Sequence, residues 1–239
     1  MTPPLFLVDA LPPGDVVVLD GAEGRHAARV KRIGVGETVL VGDGRGTVAS
    51  CVVDNVGPDA LRLHVVARRT VPEPDPRIVV VQALPKGDRA ELAVELLTEV
   101  GVDEIVPWAA ARSIAQWTGD RGARALVKWR RTAAEAAKQS RRARVPLIAE
   151  SATLAGLTAR AGTVLVLHET ASEQLSAVPL PGRGEIVLVV GPEGGVSDDE
   201  LAALTAAGAR AIRLGDPVLR TSTAGAAAVS VLSVRLGRW

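Results

Sequence analysis

Three stretches of this 239-residue chain combine glycine, proline and polar side chains in a way that suits ligand chemistry. They are "LHET" (residues 167–170), "GPEGG" (191–195) and "LGDPVLRTSTAG" (214–225). Each begins where a short apolar run ends, so each reads as the loop after a buried strand. In a parallel α/β sheet, ligands bind beyond the carboxyl ends of the strands. Gly191, Gly194, Gly195 and Gly215 let the backbone come close to a ligand or adopt positive φ, and Pro192 and Pro217 stiffen two of the loops. Little positive charge is concentrated there and no G-x-x-x-x-G-K-[ST] occurs, which argues against a triphosphate. The dinucleotide fingerprint G-x-G-x-x-G is missing as well. Its nearest imitation, "GDGRG" at Gly42, runs into a strand and reads as a hairpin turn. Such walls suit a small, largely neutral ligand with an adenine and a short chain, held by backbone amides. A strand, a glycine loop and a helix is also the ordinary αβ connection; three together strengthen the ligand reading without identifying the ligand.

Few side chains compete for catalytic roles. His168, at a strand end, is either a general base or a hydrogen-bonded wall residue, and the second is the commoner fate. His26 and His64 have no acid, cysteine or second histidine at ligand spacing, so no metal site is expected. Cys51 is the single cysteine, which rules out an intramolecular disulfide and points to a reducing cytoplasm.

The elements that must position these loops follow from periodicity. "RRTVPEPDPR" (68–77) alternates prolines with acids, stiff and extended, and marks a boundary between residues 1–70 and 71–239. Before it lie strand patterns at 16–19, 37–43, 46–53 and 60–67, interrupted by a helical stretch at 24–32. Short strands in so few residues suggest a small β-barrel. After it, strands at 77–84, 104–108, 163–169, 185–190 and 211–215 alternate with helices at 88–100, 124–142, 197–207 and 223–236. Asp88 and Glu91 have capping-box spacing. Such alternation implies a parallel sheet covered by helices.

Bulk composition is that of an ordinary globular chain: 47% hydrophobic, 23% charged, net charge +1. No apolar run reaches the roughly 18 residues of a membrane span, and the opening "MTPPLFLVDALPPGD" lacks the pattern of a signal peptide. Only four of the 28 basic residues are lysine. Arginine enrichment suits phosphate contacts, though nucleotide bias explains much of it. Nine basic residues fall within 121–144, with Glu135 the one acid among them.

Taken together, strand-"GPEGG"-"SDDEL" and "LGDPVLRTSTA" leading into a terminal alanine-rich helix resemble the SPOUT class of S-adenosylmethionine-dependent RNA methyltransferases. Within it, the chain is similar to the family that methylates N3 of uridine 1498 in 16S ribosomal RNA. "HAARVKR" (26–32) resembles a motif of that family's N-terminal PUA-like barrel. "TEVGVDEIVPW", "RSIAQW" and "WRRTAAEAAKQSRR" resemble segments of its second domain. The resemblance implies a C-terminal trefoil knot, otherwise nearly absent from protein folds, and a homodimer without metal. It also implies S-adenosyl-L-methionine as cofactor. Leu167, His168 and Glu169 would form one wall of its site. Val190, Gly191, Pro192, Glu193, Gly194 and Gly195 would form the second. Leu214, Gly215, Val218, Leu219, Thr221, Thr223 and Ala224 would form the third. Arg220 is the residue expected in the chemistry: loss of the uridine N3 proton leaves negative charge on N3, O2 and O4, which a guanidinium can stabilise. A phosphate clamp or a structural ion pair is the other reading of Arg220. Arg25, Arg29, Lys31 and Arg32, with Arg112, Arg130, Arg131, Arg141 and Arg142, form a candidate footprint for 16S RNA in the small ribosomal subunit; each singly also fits a solvated surface.

Three positions depart from the family pattern. Lys31 replaces a usual leucine, the opening "PLFLVD" lacks an arginine before Phe6, and Ser222 stands where the family has glutamate. The last keeps a second class of reading open, a non-catalytic RNA-binding or assembly factor. A related methylation, of ribose 2′-oxygen or guanine, is the other alternative.

Overall fold

The computed structural model describes residues 2–87 and 89–239. Its internal contacts divide the chain into two units, Met1–Glu73 with Ala137–Val145, and Pro74–Ala136 with Pro146–Trp239. The sequence pattern placed all of 71–239 in one domain; instead Ala137–Val145 joins the first unit. The reason is local hydrogen bonding: Gly46 N donates to Ala143 O (3.0 Å) and Val145 N to Gly44 O (2.9 Å). Arg144 Nε adds a bond to Val71 O at 3.1 Å. Gly46 is required there, since its φ is +118° and a Cβ would lie 2.5 Å from Val71 O.

The first unit is a five-stranded sheet of β1 (Leu5–Leu7), β2 (Val16–Leu19), β3 (Thr38–Gly42), β4 (Thr47–Val56) and β5 (Leu61–Thr70). The order is β1-β3-β4-β5-β2, antiparallel except for β1 beside β3. β1 carries too short a pattern to be legible in sequence. Period-2 alternation turns Val39, Val41, Ala49, Cys51, Val53, Leu61 and Leu63 into one core with Phe6, Val17 and Leu19. Burial pushes the Cys51 thiol up, more strongly than the charge of Arg68 draws it down, so the cysteine is an inert core residue. "GDGRG" forms the β3–β4 turn, where Asp43 Oδ1 accepts from Arg45 N (2.7 Å) and Thr47 N (3.0 Å). The expected helical stretch begins earlier and is composite: α1 (Gly21–Arg25) runs into a π-helical turn at His26–Val30, and Arg32 ends it with φ +52°.

The second unit holds β6 (Arg77–Ala83), β7 (Glu104–Trp108), β8 (Leu147–Ile148), β9 (Thr163–Leu167), β10 (Glu185–Val190) and β11 (Arg210–Ile212). All six are parallel, in the order β11-β9-β10-β6-β7-β8. Central strands covered on both faces need continuous apolar runs, which "RIVVVQA" and "EIVLVV" supply. One face packs Val79, Val81, Val187 and Val189 against Leu157 of α4 (Leu154–Thr158) and Leu204 of α5 (Asp198–Ala206). The other carries α6 (Thr221–Arg235), which packs on β6 and β10 and against α2 (Arg89–Glu99). The 21-residue helix α3 (Gly119–Gln139) begins five residues ahead of its expected start. β8 and α4 are too short to show a period. Of the expected capping pair in α2, Asp88 lies outside the described residues. A capping box does form at α5, between Ser197 and Glu200.

At the strand starts, charge closes the sheet. Arg77 pairs with Glu104 (3.1 Å) and Glu185 (2.9 Å), and Arg160 with the same two acids (3.0 and 3.2 Å). Glu104 is the buried centre of this quartet, with its side chain 8% exposed. Removing one partner leaves buried charge uncompensated. Glu104→Ala is therefore expected to cost about 3 kcal/mol, read as a lowered urea midpoint with unchanged m-value.

Candidate functional site

At the opposite end of the sheet, the loops after β9, β10 and β11 converge on a cavity of about 500 Å³, within the range of small-molecule sites. Its lining includes Leu167, His168 and Glu169 after β9, Val190 with Gly191–Gly195 after β10, and Leu214, Gly215, Val218 and Leu219 after β11. Arg220, Thr221 and Ala224 complete it from the start of α6. Of the residues expected at the cofactor, Thr223 alone is not in the lining; its hydroxyl turns back to Arg220 O at 3.1 Å. Pro217, read in the sequence as stiffening its loop, lines the cavity, and Arg89, Val196 and Arg213 line it without having been singled out in the sequence.

The "GPEGG" loop is built to a fixed shape. Gly195 N donates to Pro192 O (2.9 Å), closing a turn that puts Gly195 at φ +75°. Gly194 lies against Arg112, whose Nη1 donates to Gly194 O at 3.2 Å. Arg112, expected among the RNA contacts, thus braces this loop. Glu193 Oε1 accepts from Lys86 N at 3.2 Å, tying the loop to the end of β6.

A buried amide links the remaining walls. Gln82, fully buried at the end of β6, donates from Nε2 to Ala83 O (3.0 Å) and to Thr221 O and Oγ1 (both 3.3 Å). Thr221 Oγ1 in turn donates to Gly191 O. One polar residue in a run of valines was the sequence signal for this link, and it passed unnoticed. Ser222 is buried and absent from the cavity lining. Arg220 is the N-cap of α6, its carbonyl accepting from Thr223 N and Ala224 N (2.9 Å each), while its side chain is exposed without an ion pair among the described residues. His168 Nδ1 lies 3.0 Å from Thr170 Oγ1.

The walls fit a ligand with an adenine and an amino-acid chain. Leu167, Val218, Leu219 and Pro217 offer apolar contact, Glu169 and Glu193 negative charge, and Arg89 and Arg213 positive charge. Arg213 Nε is buried with no partner among the described residues, while its Nη1 pairs with Asp216 Oδ1 at 3.2 Å.

The expected RNA contacts divide on inspection. Arg29 pairs with Asp59 at 2.7 Å and Arg130 with Glu150 at 3.0 Å. Within the basic run, Lys128 pairs with Glu91, and Lys138, nearly buried, with Glu23. Arg142 is half-buried and engaged. Arg25, Lys31, Arg32, Arg131 and Arg141 are exposed.

A parallel sheet whose glycine loops close a cavity at the carboxyl edge, preceded in the chain by a small β unit, matches a known class. Residues 72–233 match the family model of the RNA methyltransferase domain, and residues 19–66 that of the RNA methyltransferase PUA domain. The chain is 49% identical over 243 residues to ribosomal RNA small subunit methyltransferase E of Mycobacterium bovis, covering 98% of this chain and 93% of that protein. Its identity to the Bacillus subtilis protein of the same name is 29%, covering 90% and 88%. The crystal structure of ribosomal RNA small subunit methyltransferase E from Neisseria gonorrhoeae bound to S-adenosyl methionine superposes with a TM-score of 0.86 at 26% identity, covering 98% of both chains. The chain belongs to the ribosomal RNA small subunit methyltransferase E family.

Thr221→Val tests the wall linkage. It removes the donor to Gly191 O and one acceptor of Gln82, leaving buried groups unpaired at a cost of about 1–3 kcal/mol. Calorimetry is expected to show S-adenosylmethionine affinity reduced about tenfold, with the sheet's circular dichroism unchanged.

Proposed function

We propose that this protein methylates N3 of a single uridine, position 1498, in 16S ribosomal RNA of the small subunit. At the coarser level, the chain is an S-adenosylmethionine-dependent ribosomal RNA methyltransferase. The observation that carries the finer reading is Arg220, an exposed, unpaired guanidinium on the rim of the cavity, with its backbone fixed as a helix N-cap.

When bound, S-adenosylmethionine supplies a methyl group on an electrophilic sulfonium. The chain's own residues hold and prepare the uracil. Deprotonation at N3 spreads charge over O2 and O4, and the planar guanidinium of Arg220 can meet two such centres. The positive end of the α6 dipole lies at the same place and acts in the same direction. Because Arg220 O is committed to α6, the Cα from which the guanidinium reaches is fixed, and the side chain itself is positioned when the uracil binds. Glu193 is held by Lys86 N and stays a weak candidate for accepting the proton. His168 serves as a wall residue.

The non-catalytic reading rested on Ser222. Its position outside the cavity lining means that the loss of a carboxylate there leaves every lining group in place, which supports the enzyme. The C-terminal trefoil knot and the homodimer belong to the proposal too. Leu92 on α2 and Val234 on α6 are exposed on a packed helix pair, apolar surface that a second copy would cover. Among the described residues, no group of three or more His, Cys, Asp or Glu stands where it could hold a metal ion, and no helix is long and apolar enough to cross a membrane. A cytoplasmic location is part of the proposal, resting on the proposed ribosomal target.

RNA affinity is assigned to exposed cations, Arg25, Lys31, Arg32 and Arg141 in the first unit and Arg131 in the second, with Arg29, Arg130 and Arg142 subordinate because they are engaged. Lys31→Glu with Arg32→Glu is expected to weaken small-subunit binding at least tenfold and flatten its salt dependence. S-adenosylmethionine affinity should stay within about twofold; parallel loss of both affinities would refute the division of labour.

Mass mapping of nucleosides in small-subunit RNA tests the reaction itself: deletion of the gene should abolish 3-methyluridine, and the wild-type gene restore it. Arg220→Ala should lower the single-turnover rate at saturating subunits by about 10²-fold or more, with S-adenosylmethionine binding unchanged. Arg220→Lys should recover only part of the rate. An unchanged rate at saturation would make Arg220 a binding residue.

A further inference from the structure

A second, smaller cavity lies in the same unit, about 190 Å³ in volume. It is below the range typical of cofactor sites. Its walls are Pro85 and Gly87 after β6, Ala90 and Glu91 on α2, Ala115, Gln116 and Trp117 in the loop before α3, and Arg121, Ala125 and Trp129 on α3. The methyl-donor cavity uses Arg89 from the same segment, one residue before Ala90. The two cavities thus lie on neighbouring residues of one segment, with Arg89 in the lining of one and Ala90 in that of the other.

Trp117 is the unusual member. Its ring is only partly buried, yet it is clamped. The indole meets Trp129 edge to face, with centroids 4.9 Å apart and planes at 75°. Trp129 is itself buried. The root of the side chain is held as well: α3 comes close to the Trp117 main chain at Gly122, where a Cβ would stand 3.0 Å from the Trp117 carbonyl carbon and 3.2 Å from its Cβ. An aromatic ring held in this way presents a face without losing further side-chain freedom when a flat partner stacks on it. The polar groups beside it suit a nucleotide. Arg121 is exposed and has no carboxylate partner among the described residues, so it can meet a phosphate. Gln116 is oriented by its Nε2 bond to Ser113 O at 3.2 Å, which leaves its side-chain oxygen to accept from a base edge.

We infer that the Trp117 cavity seats one unstacked base of the substrate RNA, stacked on the indole, with its phosphate toward Arg121. This rests on the ribosomal RNA methylation reading above and deepens it: an enzyme that alkylates a ring nitrogen on the Watson–Crick edge must first take that edge out of pairing. Sequence-specific RNA recognition generally uses such splayed bases on aromatic faces. The target uridine and its immediate neighbour share this chemistry, and kinetics separates them.

Single-turnover methylation of unmodified small subunits by wild type, Trp117→Ala, Trp117→Phe and Arg121→Ala provides the test. Trp117→Ala should raise the half-saturating subunit concentration about tenfold or more, the scale of one lost base–aromatic stack. Trp117→Phe should stay within about threefold, and Arg121→Ala should lie between them. Affinity for S-adenosylmethionine should be unchanged in all three. A defect confined to half-saturation assigns the neighbouring base; a fall in the saturated rate as well assigns the target. Trp117→Ala indistinguishable from wild type would overturn the inference. So would equal loss of S-adenosylmethionine affinity, thermal stability and activity in both Trp117 variants, the signature of a packing role. A binding measurement without turnover accompanies it: a uridine hexanucleotide should quench the tryptophan emission of wild type but not of Trp117→Phe. If wild type leaves subunits unmethylated, the functional reading falls, and this quenching still decides the pocket.

Discussion

The amide of Gln82 sits where three segments distant in sequence must agree. It ends the central strand β6, reaches Thr221 at the start of α6, and through the Thr221 hydroxyl reaches Gly191 at the head of the glycine loop. An amide sealed from water has no solvent to fall back on, so displacing any of these segments leaves polar groups unpaired. The cavity's second and third walls therefore hold their spacing through the core of the sheet. Surface contacts between the loops are not needed for it. Gly225 belongs to the same constraint: a Cβ there would stand 3.1 Å from Leu97 Cδ2 and 3.4 Å from Gln82 Oε1 and Val190 Cγ2, so these packed side chains would have to give way.

Polarity along the strands divides the labour of the unit. Their amino ends are locked by the Arg77, Glu104, Arg160 and Glu185 quartet, and Asp103 draws the C-terminal Arg238 to the same end at 2.9 Å. Their carboxyl ends carry glycine, proline and exposed arginine, and the ion pairs there, Arg213 with Asp216 (3.2 Å) and Arg130 with Glu150 (3.0 Å), involve exposed acids. Buried carboxylates are neutralised at the amino ends, while Arg220 at the carboxyl end has no ion pair among the described residues. A similar contrast sorts the basic run around α3, in which Lys138 and Arg144 face carboxylates of the chain while Arg121 and Arg131 face none among the described residues.

Much of this was legible in the sequence, for definite reasons. Apolar runs such as "RIVVVQA" and "EIVLVV", alternating with helical patterns, read as buried parallel strands, and three glycine- and proline-bearing loops together pointed to a ligand where one alone would fit an ordinary connection. The barrel strands showed their alternation, and "GDGRG" announced a turn. What escaped had no local signature. Lys138 reads as one more cation of a basic helix because its partner Glu23 lies 115 residues earlier. Arg112 reads as a surface arginine because nothing nearby shows that it will grip Gly194. β8 and α4 are shorter than one period of any pattern, and Gln82 differs from its valine neighbours by a single letter.

Residues 137–145 have a wider consequence. They complete the first unit although the chain reaches them only after most of the second unit's first half has been made. A fragment cut after Glu73 would expose the amide of Gly46 and the carbonyl of Gly44, and would uncover the small cluster of Leu5, Val48 and Ala143. During synthesis on the ribosome the amino-terminal part therefore emerges first yet stays unfinished until α3 has followed it out. Any attempt to transplant the first unit onto another enzyme has to carry two pieces of chain, Met1–Glu73 and Ala137–Val145.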